Sequence, residues 1–363
     1  METNQPIDSY SGYLHLDRLL DCQRPRSGQA EQAVHDEMLF IITHQSCELW
    51  FKQILHDMRS VADILHDVPS GSSLPDTAVV RSRRIAAVVR HLTDQCGILE
   101  TMDPCDYADF RGLLYPISAF QSVQFRKIEI LFGVRREQQV LYDGYAHSSR
   151  IPVADRDELR RMEEEPTLFD RVQSWLERLP FLEVGGYSFR RAYQDAVRRM
   201  LGREREAIRE NEAFSALEKQ KYLVETSTVE ERFDTLFDPE RYREIAATGR
   251  RRFSHRAMLA ALFIMVYHDR PRLQTSRRLL DALIDIDEAL ALWRYHHALM
   301  AHRMIGEKIG SGGSSGFHYL KSTAENRRVY TDLTALATYL IPRTDRPALD
   351  PHVLHMLDGE ISP

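Results

Sequence analysis

Apolar residues recur three and four positions apart along most of the chain, the period of helices that bury one face. From about Gln29 to His66 the apolar seam runs through Phe40, His44, Cys47, Phe51, Ile54, Met58, Val61 and Leu65, and Pro69 and Gly71 end it. A second helix is predicted from Asp76, a candidate N-cap, to Met102, where Asp103-Pro104 breaks the chain. A third begins near Asp106, is interrupted at Pro116 and resumes from Ser118 to about Gly133. Residues 134–165 are charged and irregular. Helices then fit 167–178, 188–211 and 214–236, the last two forming a hairpin around Asn211. Another fits 254–268, stopped by Pro271. The longest runs from about Ser276 to Lys308, with a seam of Leu279, Leu283, Ile286, Leu290, Trp293, His297, Met300 and Met304. The glycine cluster IGSGGSSG at 309–316 separates it from a last helix over about 317–340. Strand-like alternation is scarce, and glycine supplies only 17 of 363 residues, so the expected fold class is all-α.

Charge narrows the function classes. Lys plus Arg is 48 and Asp plus Glu is 54, a net charge of −6. Such a chain has no positive field to hold nucleic-acid phosphates. No apolar run is long enough for a transmembrane helix, and METNQPIDSY lacks the basic-then-apolar order of a signal peptide. Cys22, Cys47, Cys96 and Cys105 show no CxxC, CxxCH or zinc spacing. They argue for a reducing, cytoplasmic setting and against a zinc ribbon or a covalently attached haem.

Two histidines stand out, because His44 and His297 each replace a hydrophobe in a helix seam. A buried neutral imidazole needs a partner. That partner is either a neighbouring polar group or the iron of a haem. Trp293, Tyr295, Met300 and Met304 around His297 suit either ordinary core packing or a flat apolar macrocycle. The glycine cluster lies between two helices, so it is neither a dinucleotide fingerprint nor a phosphate loop. It is either a linker or a loop that closes over a small ligand. Arg111, among apolar residues in DFRGLLYPISAFQSVQFR, is either a snorkelling surface residue or an anchor for a carboxylate.

Longer stretches carry a resemblance. HDEMLFIITHQSCELWFKQIL (35–55) resembles the distal-helix signature of the tryptophan 2,3-dioxygenase family, and FRGLLYPISAFQSVQFR (110–126) resembles its substrate-helix motif. FSHRAMLAALFIMVYHDRPR (253–272), WRYHHALMAHRMIGEKIGSGGSSGFHYLKST (293–323) and YLIPR (339–343) are similar to its C-terminal signatures. SYSGYLHLDRLL (9–20) is similar to its N-terminal arm. The matches follow the family's order and reach both ends of the chain; only about 134–250 is weakly marked.

The resemblance implies one domain over 1–363: an all-α bundle of long helices holding a non-covalent haem b. Residues 1–26 would form an arm reaching a neighbouring subunit, and about 134–250 a smaller helical insertion. The implied protein is a cytoplasmic homotetramer with shared active sites. The implied reaction inserts both atoms of O2 across the indole C2–C3 bond of L-tryptophan, giving N-formylkynurenine. Carried over by position, His297 is the proximal iron ligand and His44 the distal histidine, which hydrogen-bonds and positions the indole. Arg111 holds the substrate carboxylate, and Ser311 in the glycine loop reaches its ammonium. Phe40, Tyr107, Leu114 and Ser118 line the pocket, and Tyr10, Tyr13 and Leu14 complete that of a neighbour. The protein supplies axial ligation, a dry pocket and orientation, while the haem carries the chemistry.

Two positions depart from the family pattern. Ser311 stands where the family usually has threonine, and Ala119 where it has glycine. They leave open an oxygenase acting on a substituted tryptophan, inserting one or two oxygen atoms. A haem sensor without turnover is a third reading, disfavoured because it needs no amino-acid clamp.

Overall fold

In the computed structural model, residues 9–29, 33–115, 121–134, 153–308 and 316–358 are described. The all-α expectation holds. Two short helices, α1 (Tyr10–Leu14) and α2 (Leu16–Leu19), precede the long α3 (Glu37–Asp67) and α4 (Asp76–Leu99). Then come α5 (Pro104–Arg111), α6 (Val123–Phe132), α7 (Val153–Glu164) and α8 (Leu168–Glu177). The pair α9 (Phe189–Glu210) and α10 (Ala216–Phe237) forms the expected hairpin, followed by α11 (Pro239–Ala247) and α12 (His255–Val266). The longest helix is α13 (Pro271–Ile305), and α14 (Gly316–Asn326), α15 (Thr331–Ala335) and α16 (Pro351–Asp358) close the chain. Among the described residues the strands are two residue pairs, Glu183–Val184 against Tyr187–Ser188.

The long helices assemble around α4, which lies along both α3 and α13. In addition, α6 and α8 pack on α3, and α14 packs on α13. The seams read from the sequence form the main core: Ile54, Met58, Val61 and Leu65 of α3 and Leu279, Leu283 and Ile286 of α13 are nearly inaccessible. Each such side chain contributes roughly 1.5–3 kcal/mol by leaving water. Among the described residues no helix is long and apolar enough to cross a membrane.

Several boundaries differ from expectation, each for a local reason. The first long helix starts at Glu37, not Gln29, because Ser27–Gln29 forms a 3-10 turn whose start is tied to the Glu37 side chain. Asp76 is the first residue of α4, with Pro75 as its N-cap; its carboxylate takes hydrogen bonds from Thr275 and Arg278 of α13. Asp103 is an N-cap, accepting from the Cys105 amide, with Pro104 as the first helical residue of α5. The expected resumption at Ser118 lies outside the described residues, and α6 starts at Val123 behind a Ser122 cap. The charged stretch before 165 contains α7, whose single buried side chain, Leu159, packs on Ile130 of α6. Pro271, expected as a stop, opens α13, the position where a missing N–H costs nothing. The helix expected over 317–340 is broken after Asn326, where the Asp287 carboxylate captures the Val329 and Tyr330 amides.

Candidate active site

The two histidine seams share one feature that the sequence alone does not display. On α3, Phe40 packs in a small apolar cluster with Leu99, Met102 and Phe110, whereas Cys47, Phe51, Ile54, Met58, Val61 and Leu65 pack in the main core. On α13, Leu279 to Trp293 belong to the main core, whereas Met300 and Met304 join the small cluster. His44 and His297 therefore occupy the crossover between the two clusters, one on each long helix.

Their surroundings differ. The His44 ring lies 4.1 Å from the Phe40 ring, and its Nδ1 is 2.8 Å from the Phe40 carbonyl oxygen. A carbonyl only accepts, so Nδ1 carries the proton and donates. In the neutral ring, Nε2 then keeps a lone pair. Burial lowers the His44 pKa, opposed by the Phe40 carbonyl and Glu48, so neutrality is favoured. His297 makes no hydrogen bond among the described residues. Its ring lies 5.4 Å from that of Trp293, tilted by 36°, and Trp293 itself lies 4.8 Å from Phe125 and edge-on to Phe51. Burial, reinforced by the nearby His44, pushes the His297 pKa down to about 4. Both residues nonetheless retain partial accessible surface.

The third wall comes from α5 and the 3-10 turn after it, Gly112–Leu114. Tyr107, Phe110 and Arg111 fall three and four residues apart, hence on one face of α5. The Tyr107 ring is 5.9 Å from Phe40 and edge-on to Phe110 at 5.4 Å. Leu114 packs in the same cluster. Burial raises the Tyr107 pKa, and the Arg111 guanidinium partly offsets this, which places Arg111 beside the aromatic wall. Arg111 is half-buried and has interactions of its own within the fold.

Phe40, His44, Tyr107, Arg111, Leu114 and His297 are thus brought together. Tyr10, Tyr13 and Leu14 are not in this group: they stand 76%, 67% and 39% exposed on α1. Ser118, Ala119 and Ser311 lie outside the described residues. Phe110, Leu99 and Met102, which complete the apolar wall, carried no signal beyond helical spacing. A shallow groove on the outer hairpin, lined by Arg209, Lys219, Leu223 and Glu231 among others, contains no histidine or aromatic ring.

A sequence model of the tryptophan 2,3-dioxygenase family matches residues 2–340. The chain belongs to the tryptophan 2,3-dioxygenase family. It is similar to "Tryptophan 2,3-dioxygenase" of Alteromonas mediterranea, 39% identical over 96% of each chain. It is 40% identical to the Dictyostelium discoideum protein of that name, over 96% of this chain and 88% of the relative. With "Tryptophan 2,3-dioxygenase B" of Danio rerio it shares 41% identity over 95% of this chain and 84% of the relative.

The residues present fit the haem on which this family depends. A single neutral imidazole, without a hydrogen-bond partner among the described residues and facing an aromatic and methionine wall, is a suitable axial donor. Among the described residues no group of three or more His, Cys, Asp or Glu side chains could hold a bare metal ion.

Proposed function

We propose that the protein is a haem-dependent dioxygenase that cleaves the indole C2–C3 bond of L-tryptophan with O2 to give N-formylkynurenine. The supporting observation is the pair of histidines at the cluster crossover: His297 without a hydrogen-bond partner among the described residues, and His44 with an Nε2 lone pair. His297 would hold the iron of haem b. When bound, that haem supplies O2 activation.

The remaining work falls to side chains of this chain. His44 Nε2 accepts a hydrogen bond from the indole N–H and fixes the ring's orientation. With Nδ1–H committed to the Phe40 carbonyl, the imidazole cannot turn without losing that bond. The indole N–H is very weakly acidic, so His44 positions it and need not remove its proton. Phe40, Tyr107 and Leu114 present apolar surface to the indole and exclude water. The Arg111 fork pairs with the carboxylate, a charge-assisted and bidentate contact. We assign to Ser118 a place in the pocket wall, and to Ser311 a hydrogen bond with the substrate ammonium.

The same reading makes the protein a cytoplasmic homotetramer. Exposed Tyr10, Tyr13 and Leu14 on a short arm suit docking into a neighbour's site, and Cys22, Cys47, Cys96 and Cys105 are all unpaired thiols. The test of the activity is product: ferrous holoprotein given L-tryptophan and O2 forms N-formylkynurenine, and unconsumed tryptophan would overturn the proposal.

A further inference from the structure

Glu37 is a charged residue buried to 1% exposure at the first position of α3, and the reaction described above does not use it. Its two carboxylate oxygens each take one backbone N–H at 2.8 Å, Oε1 from Arg26 and Oε2 from Ser27. Burial alone would raise its pKa; the hydrogen bonds from Ser27 and Arg26 outweigh that and hold it lowered. The Ser27 hydroxyl in turn accepts from the Val34 amide at 3.0 Å, closing the turn. With its backbone fixed this way, Arg26 extends its guanidinium to the Leu113 carbonyl, Nη1 to oxygen 2.9 Å. Leu113 lies between Arg111 and Leu114, two residues of the candidate pocket.

One carboxylate therefore links two walls of the site. It belongs to the helix that carries Phe40 and His44, one and two turns further on, and it braces the turn that holds the Arg111 segment. We propose that Glu37 is a positioning residue for the amino-acid substrate, acting through Arg26 on the backbone beside Arg111. The inference rests on the tryptophan-oxygenase reading of this site. A carboxylate is needed because two converging N–H groups want two acceptors. An amide offers one acceptor and sets its own N–H group against the second donor.

The test compares Glu37→Gln, Arg26→Met and the double variant, each as haem-loaded protein. Glu37→Gln raises KM for L-tryptophan about tenfold, equivalent to ~1.4 kcal/mol. Its kcat stays within about twofold and its haem content is unchanged, because neither the iron ligand nor His44 is touched. Arg26→Met, an exposed position that leaves the carboxylate in place, raises KM similarly, and the double variant is no worse than the poorer single one. Hydrogen exchange gives a readout apart from turnover: the Arg26 and Ser27 amides lose protection in Glu37→Gln but keep it in Arg26→Met. Wild-type KM in both single variants, or additive effects in the double variant, overturns the proposal. If Glu37→Gln does not fold, Arg26→Met decides alone, and an unchanged KM there is contradictory. Wild-type protein that does not consume tryptophan refutes the proposed function instead, a result distinct from either of these.

Discussion

His44 and His297 lie close enough that charge on one opposes protonation of the other. The helices that bear them both pack on α4, and each histidine sits where its seam passes from the main core to the small aromatic cluster. If His297 is the iron ligand, His297→Ala should purify with little haem and without a native-intensity Soret band, because the strong axial donor is gone. The pyridine-haemochrome assay measures this directly. Full haem content with unchanged activity would remove the assignment.

Arg111 tests the substrate end of the site. Truncating one partner of a desolvated charge pair costs roughly 2–5 kcal/mol, so Arg111→Leu should lose at least about thirtyfold in kcat/KM while retaining haem. Tryptamine, which lacks the carboxylate, should be a poor substrate for the wild type and lose little further in the variant. Equal use of tryptamine and tryptophan by the wild type would contradict the clamp.

Glu129 gives a pH-dependent prediction away from the chemistry. It is buried, and its oxygens take hydrogen bonds from Arg126, Arg294 and Arg327. Burial pushes its pKa up, but the three guanidiniums prevail and bring it down to about 2. A carboxyl whose folded pKa lies below its unfolded value stabilises the fold above the unfolded pKa, here near 4.5. That contribution is lost as pH falls from about 4.5 toward 2. Glu129→Gln leaves buried positive charge without its counter-ion and should cost roughly 3–5 kcal/mol near neutral pH, with a flatter acid limb. Thermal melts from pH 7 to pH 3 measure both effects; a variant whose melting profile parallels the wild type's would show that the pair is inert.

The arm makes a claim about assembly. Tyr10, Tyr13 and Leu14 leave apolar surface in water on the single chain. Deleting residues 1–16 should depress turnover more than haem content, since His297 is untouched. Light scattering combined with assay checks this, and a fully active monomeric wild type would exclude shared sites.

Much of this was legible in the sequence because the long helices have regular seams. A histidine inside such a seam is visible as a break in the apolar period, and His44 and His297 were found that way. Arg111 is visible as a charge among hydrophobes, although its place beside Tyr107 depends on α5 being helical. Glu37 was not visible. A glutamate before an apolar run reads as an ordinary first-turn acid, and its partners Arg26 and Ser27 are found only once the chain doubles back on α3. The helix α7 was hidden because its charged sequence buries a single leucine, too little to set up a period. Pro271 reads as a stop because a proline that opens a helix is the same residue as one that ends the previous element.

A dioxygenase puts both atoms of one O2 molecule into its substrate, and mass spectrometry after ferrous holoprotein turns over L-tryptophan under ¹⁸O₂ reads this out. N-formylkynurenine should carry two labelled oxygen atoms. A product carrying one labelled atom would make the protein a monooxygenase, and an unlabelled, unconsumed substrate would leave L-tryptophan outside its chemistry.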